Sequence, residues 1–317
     1  MTRPLRIGTR GSPLALWQAN HVAGLLRAVA PDRAIELVEI QTAGDQVRDV
    51  SLAQIGGEGV FTRAIQQALL NSKVDVAVHS LKDLPTIPVA GLVLAGVPKR
   101  GPNGDVLVSG KHRSFADLPN GAVLATSSLR RRAQVLHRRP DLKLVDIRGN
   151  VETRLRKLTE NNLDGLLLAQ AGLERLGLAG QITEILDPAW MLPAVGQGAL
   201  GLECRTDDKE TCALVAKIND PATAWAVRAE RAMLRELGGG CHVPIGAATI
   251  VAGTNLTLRG AVLSPDGGRR IEGQVFGSLL SAEDLGRQLA KDLLLRGANE
   301  LLESEGGFSP PSSDGLG

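Results

Sequence analysis

Short apolar runs alternate with amphipathic segments along most of the chain, and this alternation predicts layered strands and helices. The strand-like runs are Leu5–Thr9, Ile35–Gln41, Val74–His79, Val93–Val97, Val106–Ser109, Val123–Thr126, Leu142–Ile147 and Asp164–Ala169. The segments with apolar residues at helical spacing are Pro13–Val29, Phe61–Leu70, Leu129–Arg138, Val151–Glu160 and Ala222–Glu236. The pattern therefore indicates an α/β fold.

The chain carries a weak internal repeat. Ile7–Ser12 and Leu124–Arg131 each end a strand-like run and lead into a helix. Later in each half comes an apolar run with an early aspartate, Val74–Val78 and then Leu163–Leu168. Ligands of open α/β sheets bind outside the carboxyl ends of the strands. We therefore predict two similar α/β lobes whose strand-to-helix turns flank a cleft.

The pattern changes after Gly238–Gly240. Three stretches typical of antiparallel strands follow, two of them joined by the turn Ser264–Gly268, and an amphipathic helix comes last. These elements are Ala248–Val251, Leu256–Leu263, Arg270–Phe276 and Ala282–Leu295. They predict a smaller C-terminal α+β domain.

Two segments are expected to cross between the lobes, Lys99–Gly104 and a stretch near Leu192–Gly198. The resulting domains are residues 1–99 with 199–218, residues 100–198, and residues 219–304. The Gly-, Ser- and Pro-rich tail, residues 305–317, is expected to be disordered.

Composition narrows the choice of ligand. The 317-residue chain has 36 Lys and Arg against 34 Asp and Glu, and most of its basic residues are arginine. Several arginines directly follow strand-like runs, and a planar guanidinium suits carboxylates and phosphates better than an ammonium does. Aromatic residues make up only 2 %, whereas a single-strand nucleic-acid binder needs aromatic stacking platforms. We therefore predict a protein that binds small anions and not nucleic acid.

The three cysteines, Cys204, Cys212 and Cys241, form no C-x-x-C motif, so neither a disulfide framework nor a zinc site is predicted. No metal is expected. The N-terminus lacks an apolar signal core, and no uncharged apolar run approaches the ~20 residues that cross a bilayer. We therefore expect a cytoplasmic protein with no membrane partner.

Hydroxyl and guanidinium groups cluster at the predicted helix start Thr126–Arg132. Free backbone N–H groups, the helix dipole and the side chains of Arg130 and Arg131 would bind an anion there. A serine N-cap followed by solvated basic residues explains the same pattern. Arg132 is expected to point elsewhere.

Further arginines follow other strands. Arg10 and Ser12 follow the first strand, and Arg148–Arg154 follows a later one. Arg175 follows a fourth strand, although a helical surface charge explains it as well. Repeated arginine-bearing turns favour a site for an oligoanion.

Two other segments could carry chemistry. Asp83 beside Lys82 ends an apolar strand, where a carboxylate can act as a general acid or base, although a plain Asp–Lys pair in a loop is the alternative. Cys241 lies in a glycine-rich turn with His242, which could help to deprotonate it. An unreactive thiol is the alternative for Cys241.

Together these segments resemble the porphobilinogen deaminase family. The matching stretches run in the family's order and spacing from residue 5 to about residue 300: Ile7–Leu16, Val78–Pro85, Thr126–Arg131, Arg148–Arg154, Pro193–Leu200 and Gly239–Gly246. The resemblance implies two lobes similar to those of periplasmic binding proteins, a third domain, and a dipyrromethane cofactor held by a thioether to Cys241.

The resemblance also implies residue roles. Asp83 corresponds to the family's catalytic aspartate. The residues expected to hold the cofactor are Lys82, Asp45, Thr126, Ser128, Arg130, Arg131 and Arg154. Those expected at the substrate are Arg10, Ser12, Arg148, Arg175, Gln197 and Phe61.

The implied reaction joins four porphobilinogen molecules stepwise onto the cofactor and releases linear hydroxymethylbilane, with the enzyme acting as a monomer. In one loop, Ala53–Phe61, Gln54 and Glu58 stand where the family commonly has lysines, so an anion-binding role for these two positions is in doubt. The loop's glycines still suit a mobile lid. Two rival hypotheses are a non-enzymatic two-lobed anion-binding protein and a nucleic-acid binder using Arg130–Arg132, whose binding would depend steeply on salt.

Overall fold

The computed structural model describes residues 3–41, 62–239 and 243–303 of the chain. Its strands are β1 (Leu5–Thr9), β2 (Ile35–Glu39), β3 (Val76–Ser80), β4 (Leu92–Gly96), β5 (Asp105–Val108), β6 (Val123–Ala125), β7 (Lys143–Val145), β8 (Gly165–Ala169), β9 (Glu184–Ile185), β10 (Leu200–Arg205), β11 (Ile245–Ala252), β12 (Asn255–Leu263) and β13 (Arg270–Ser278). Its α-helices are α1 (Pro13–Val29), α2 (Arg63–Leu70), α3 (Leu129–Arg138), α4 (Val151–Glu160), α5 (Gln170–Arg175), α6 (Lys209–Ala216), α7 (Pro221–Glu236), α8 (Ala282–Leu295) and α9 (Ala298–Glu303).

The first lobe is a five-stranded sheet in the order β2-β1-β3-β10-β4. Strands β1, β2 and β3 are parallel, and β10 is antiparallel to both β3 and β4. Helix α1 begins after Ser12, whose hydroxyl accepts a hydrogen bond from the Ala15 N–H, and Pro13 occupies the first helical position. The buried face of α1 packs on β1 and β3, so the strand-to-helix turn between β1 and α1 lies at the carboxyl edge of the sheet.

The second lobe repeats this arrangement in the order β7-β6-β8-β5-β9. Strands β6, β7 and β8 are parallel, and β5 is antiparallel to β8 and β9. In both lobes, the first strand-helix-strand unit lies at one edge and a single antiparallel strand is inserted before the last strand. The predicted repeat and the two-lobed α/β class are confirmed.

The C-terminal part is an antiparallel sheet in the order β11-β12-β13, covered by α7 and α8. The turn between β12 and β13 is closed by a hydrogen bond from the Gly267 N–H to the Ser264 carbonyl. Met233 of α7 and Leu289 of α8 are fully or almost fully buried in the core beneath this sheet. The predicted α+β class of this part is confirmed.

Two chain crossings connect the lobes, and they lie against each other. The Gly101 N–H donates to the Gly198 carbonyl at 3.1 Å. Gly198 has a φ of 82°, and a Cβ there would lie 2.7 Å from the carbonyl oxygens of Gly101 and Pro102. Only glycine fits this close backbone contact, because a side chain would be strained and would clash.

Glu230 of α7 joins both crossings. It is fully buried, accepts hydrogen bonds from Arg100 Nη1 at 2.7 Å and Nη2 at 3.1 Å, and also accepts one from the Gly196 N–H at 2.8 Å. A buried carboxylate requires this degree of pairing. The helix that ends just before Cys241 therefore holds both connections between the lobes.

Asp75 ties the start of β3 to two neighbouring strands. Its carboxylate accepts hydrogen bonds from Arg6 of β1 and from Arg205 of β10. Burial alone would raise the Asp75 pKa, but the hydrogen bonds and charge of Arg6, with Arg205, lower it to about 2.

This pairing makes stability depend on pH. A depressed folded-state pKa adds stability above the pKa of an unfolded aspartate, and the gain is lost as the pH falls through about 2. We expect the free energy of unfolding to fall by about 2 kcal/mol more in the wild type than in Asp75→Asn between about pH 5 and about pH 2. Urea unfolding over that pH range measures it, and parallel pH profiles of the two proteins would contradict the assignment.

The elements that differ from prediction are short or depend on distant partners. β9 has two residues, and β10 has Gly201 and Glu203 within an otherwise apolar run. Glu203 is buried because Gln66 donates to both of its oxygens and His79 Nε2 lies 3.0 Å away. Helices α5, α6 and α9 have at most eight residues each, too short for a clear helical period. Among the described residues, no helix combines the length and apolarity needed to span a bilayer.

Candidate active site

A buried ion cluster lies at the start of β5 in the second lobe. Asp105, which starts β5, has no exposed surface and accepts a hydrogen bond from Arg130 Nη1 at 2.6 Å and one from Arg131 Nε at 2.8 Å. Burial opposes ionisation of Asp105, but the charges of Arg130 and Arg131 and a hydrogen bond from Gln197 hold its pKa well below its usual range. One carboxylate therefore faces two guanidinium groups, and this cluster keeps a net positive charge.

The turn from β6 into α3 sets the position of both arginines. Ser128 is the N-cap of α3 and accepts from the Arg131 N–H, while the Ser128 N–H donates to Thr126 Oγ1 at 3.2 Å. Ser128 caps the helix as the second hypothesis expected, but the side chains of Arg130 and Arg131 are buried and not solvated. Binding of a ligand anion by this segment stays a prediction. Arg132 points elsewhere, as predicted, and donates to the Leu144 carbonyl.

Gln197 links the two lobes through its side-chain amide. Its Nε2 donates to Asp105 Oδ1 at 2.9 Å and to the Asn103 carbonyl at 2.8 Å, and its Oε1 accepts from Lys82 Nζ at 3.5 Å. These contacts make Gln197 a bridge between the Lys82 turn of the first lobe and the arginine cluster of the second. A contact of Gln197 with substrate stays a prediction.

Lys82 and Asp83 lie at the carboxyl end of β3, in the 3-10 turn Leu81–Asp83. Leu81 is buried, and its N–H donates to the Ala199 carbonyl at 3.0 Å. The backbone thus holds the two charged side chains at the rim of the sheet. Burial lowers the Lys82 pKa to about 8, with Arg131 and Arg130 acting in the same direction and Asp83 and Asp105 against it.

Arg154 of α4 adds a further guanidinium from the same lobe as Arg130 and Arg131. Its Nε donates to the Gly149 carbonyl at 2.8 Å. Burial lowers the Arg154 pKa, the charges of Arg131 and Arg148 lower it further, and the charge of Asp83 raises it. The Asp83 carboxylate of the first lobe therefore lies within electrostatic range of arginines from the second lobe.

Arg10 and Ser12 lie at the same edge of the first sheet, at the end of β1 and the start of α1. Because β1 and β3 are parallel neighbours, their carboxyl ends meet on one side. The predicted grouping of these two residues with the Lys82–Asp83 turn agrees with this topology.

Arg175 makes a different set of contacts. Its Nη2 donates to the Gly198 carbonyl at 2.6 Å, and its guanidinium carbon lies 5.5 Å from the ring centre of Trp17. Burial lowers the Arg175 pKa. It lines a cavity of about 740 Å³ together with Trp17, His21 and Lys217. A contact of Arg175 with substrate stays a prediction.

Comparison with known proteins gives the family. The model described as "Porphobilinogen deaminase, dipyromethane cofactor binding domain" matches residues 5–213, and the model of the C-terminal domain of porphobilinogen deaminase matches residues 224–295. The chain belongs to the porphobilinogen deaminase family. It is 52 % identical over 298 residues to the porphobilinogen deaminase of Syntrophotalea carbinolica, covering 94 % of this chain and 95 % of that one. It is 52 % identical over 300 residues to that of Geobacter metallireducens, covering 95 % and 94 %.

Solved structures similar to the chain include periplasmic binding proteins. An ABC transporter periplasmic substrate-binding protein from Coxiella burnetii has a TM-score of 0.42 and 16 % identity, covering 69 % of this chain and 94 % of that one. A periplasmic binding protein from Salmonella typhimurium with high arginine specificity has a TM-score of 0.38 and 16 % identity, covering 70 % and 94 %.

The residues of the cleft fit the dipyrromethane cofactor of the porphobilinogen deaminase family. The two pyrroles of this cofactor each carry an acetate and a propionate group, and an oligocarboxylate of this kind needs several cationic donors within reach of one another. Arg130 Nε is buried and has no hydrogen-bond partner among the described residues. The buried carboxylate of this cluster, Asp105, is already bonded to Arg130 and Arg131, whereas Lys82 and Arg154 add positive charge. The site can therefore accept further carboxylates.

Several predicted positions lie outside the described residues. These are Asp45, Gln54, Glu58, Phe61, Cys241 and the tail from Glu305. Their roles in the porphobilinogen deaminase reaction stay predictions.

Sequence reasoning missed three residues around this site. Asp105 was placed just outside a predicted strand, although an aspartate between Gly104 and an apolar run could have signalled a buried counter-ion. Glu230 stands in the apolar stripe of α7, where a lone carboxylate predicts a buried partner. Arg231 beside it gave no comparable signal.

Proposed function

We propose that this protein is a hydroxymethylbilane synthase, a transferase that adds four porphobilinogen molecules stepwise to its dipyrromethane cofactor and releases linear hydroxymethylbilane for tetrapyrrole biosynthesis. The observation that carries the proposal is the meeting of the Lys82–Asp83 turn of one lobe with the buried arginines of the other. Such a cleft suits a substrate and product that carry many carboxylates and develop positive charge on a ring.

The cationic and hydroxyl groups of the cleft would hold the cofactor carboxylates. Guanidinium groups form paired, charge-assisted hydrogen bonds with carboxylates, and the N-terminus of α3 adds backbone donors and a favourable dipole. When bound, the cofactor supplies the nucleophilic pyrrole carbon to which units are added. The proposed cofactor ligands are Lys82, Asp45, Thr126, Ser128, Arg130, Arg131 and Arg154, with Cys241 as the covalent anchor.

Asp83 is the proposed catalytic residue. Loss of ammonia from porphobilinogen leaves an electron-poor ring, and a carboxylate that accepts a hydrogen bond from the ring N–H stabilises that positive charge. The same carboxylate can accept the proton released when the new ring regains aromaticity. Arg154 and Lys82 lie within electrostatic range of this carboxylate, because the charge of Asp83 raises the pKa of each of them against the effect of burial.

Arginines at the strand ends are proposed to bind the acetate and propionate groups of the incoming substrate. A planar fork pairs with a carboxylate through two parallel bonds, which fixes the orientation of the ring as well as its position. The proposed substrate residues are Arg10, Ser12, Arg148, Arg175, Gln197 and Phe61.

We further propose that the enzyme is a cytoplasmic monomer with domains at residues 1–99 with 199–218, residues 100–198 and residues 219–304. The pairing of β10 with β3 and β4 supports the assignment of residues 199–218 to the first domain. Arg130 and Arg131 are buried and bonded to Asp105, which speaks against a nucleic-acid binder that presents Arg130–Arg132 on its surface.

The mass of the intact denatured protein tests the proposal. We expect purified, active protein to be heavier than the chain by two pyrrole units, and peptide mapping to place the adduct on Cys241. Incubation with porphobilinogen should give linear tetrapyrrole. An unmodified mass together with no tetrapyrrole would instead support an anion-binding protein without enzymatic activity.

A further inference from the structure

Helix α7 packs one of its faces on the turn that carries Lys82 and Asp83. Val227 of α7 is buried in a cluster with Leu81 and Leu84, the residues on either side of that pair. Arg231 lies one helical turn further along the same face, because residues four apart stack on one side of a helix. The turn and the helix are therefore in contact through both apolar and polar side chains.

The guanidinium of Arg231 holds the exit of this turn. Its Nη1 donates to the Leu84 carbonyl at 2.9 Å and its Nη2 to the Pro85 carbonyl at 2.6 Å. The Leu84 N–H closes the turn on the Leu81 carbonyl at 3.2 Å, whereas Pro85 has no N–H to donate. The two bonds from Arg231 therefore fix the direction of the backbone directly after Asp83.

Arg231 is a charged donor at this position. Burial and the charge of Arg235, with Glu203 acting against both, together lower its pKa to about 10, so the side chain is protonated at neutral pH. Two successive carbonyls match the fixed fork of a guanidinium, and a single ammonium cannot reproduce that geometry.

The helix that carries Arg231 precedes the proposed cofactor anchor in the sequence. It ends at Glu236, five residues before Cys241, and Gly238 between them has a φ of 65°. Glu230, the residue before Arg231, holds both crossings between the lobes. Helix α7 thus holds the Asp83 turn through Arg231 and the two lobe crossings through Glu230.

We infer that Arg231 is a positioning residue that holds the Asp83 turn in a fixed place relative to the helix leading to Cys241. The inference rests on the proposed function, in which Asp83 acts on rings attached through Cys241. A displacement of about 1 Å between a catalytic group and its substrate can cost about 100-fold in rate. The carboxylate of Asp83 needs such support because its own turn is only three residues long.

The test compares holoprotein variants in which the fork is removed or replaced. Arg231→Met keeps the length of the side chain and removes its donors, and Arg231→Lys keeps the charge but not the fork. Arg235→Met is the matched control, since Arg235 is exposed on the same helix and lies 3.8 Å from the exposed Glu283. Measurements are kcat and KM for porphobilinogen, intact mass, and amide hydrogen exchange over residues 80–86.

We expect Arg231→Met to lower kcat by about 10- to 100-fold with little change in KM, to keep the mass of the cofactor, and to speed exchange at the Leu84 amide. Arg231→Lys should recover part of kcat and part of the protection, and Arg235→Met should match the wild type. If Arg231→Met does not fold, Arg231→Lys decides the matter, with intermediate kcat and faster exchange expected.

A folded Arg231→Met or Arg231→Lys protein with wild-type kcat would overturn the inference. Loss of the cofactor mass would also overturn it, because Arg231 would then act in cofactor retention. A second comparison separates this from the proposed function. In an Asp83→Asn background, Arg231→Met should cause no further loss. Wild-type turnover of the Asp83→Asn single variant would refute the proposed role of Asp83. Faster exchange at the Leu84 amide in Arg231→Met would still show that Arg231 holds the turn.

Discussion

Asp83→Ala is expected to lower turnover of porphobilinogen by about 1,000-fold, because general acid–base catalysis contributes ~100- to 10,000-fold and electrostatic stabilisation of a developing charge contributes a similar factor. Alanine provides neither a negative charge for the ring cation nor a site for the released proton. The arginines of the cleft would then repel the cation without the opposing charge of Asp83.

The protein should nevertheless stay folded. Asp83 is partly exposed, and its turn is held through the backbone by the bond from the Leu81 N–H to the Ala199 carbonyl. We therefore expect thermal unfolding and the cofactor mass to be close to those of the wild type. Initial rates of tetrapyrrole release, measured beside intact mass, separate a loss of chemistry from a loss of structure.

Asp117→Ala provides the control, since Asp117 is an exposed aspartate of the second lobe outside the cleft cluster. It should turn over at the wild-type rate. Asp83→Glu should fall between wild type and Asp83→Ala, because it keeps the charge and displaces it by one methylene. An Asp83→Ala protein with wild-type turnover would remove this residue from the mechanism.

Cys241→Ser is expected to give a folded protein that carries no covalently bound pyrrole and has activity near background. A thiolate forms near neutral pH and is a strong nucleophile, whereas a serine hydroxyl is almost entirely protonated. Without the anchor, the growing chain has no fixed end, and the proximity advantage of a tethered reactant is lost.

Cys212→Ser is the matched control for the thiol substitution. Cys212 is part-buried on α6, where its Sγ donates to the Arg205 carbonyl at 3.4 Å. We expect this variant to keep both the added mass and the turnover. A Cys241→Ser protein that retains a two-pyrrole adduct and full activity would contradict the anchor.

Much of the fold could be predicted because local signals mark its helices. Ser12, Ser128 and Asn150 are N-caps directly before α1, α3 and α4, and each accepts a hydrogen bond from a backbone N–H of the first turn. The predicted bounds of these three helices agree with the structure to the residue. Strand β10 was missed because its pairing with β3 joins residues more than a hundred positions apart, and no local pattern encodes that.

The candidate site likewise contains a part that could be predicted from the sequence and a part that could not. The Lys82–Asp83 turn and the start of α3 were predicted because charged residues follow apolar strands in the sequence. The partners of those residues were not predictable, since Asp105 meets Arg130 across 25 positions and Arg231 meets Leu84 across 147. Tertiary packing chooses these pairs, and the sequence alone leaves the alternative of solvated basic side chains open.

The joint held by Glu230 has a mechanical consequence. Both chain crossings are bonded to one buried carboxylate. Any rotation of the lobes about this joint would therefore leave the residues next to Glu230 almost in place and displace the distant rims of the lobes most. Added pyrrole units would then gain room at the rims, while the residues near the joint keep their positions.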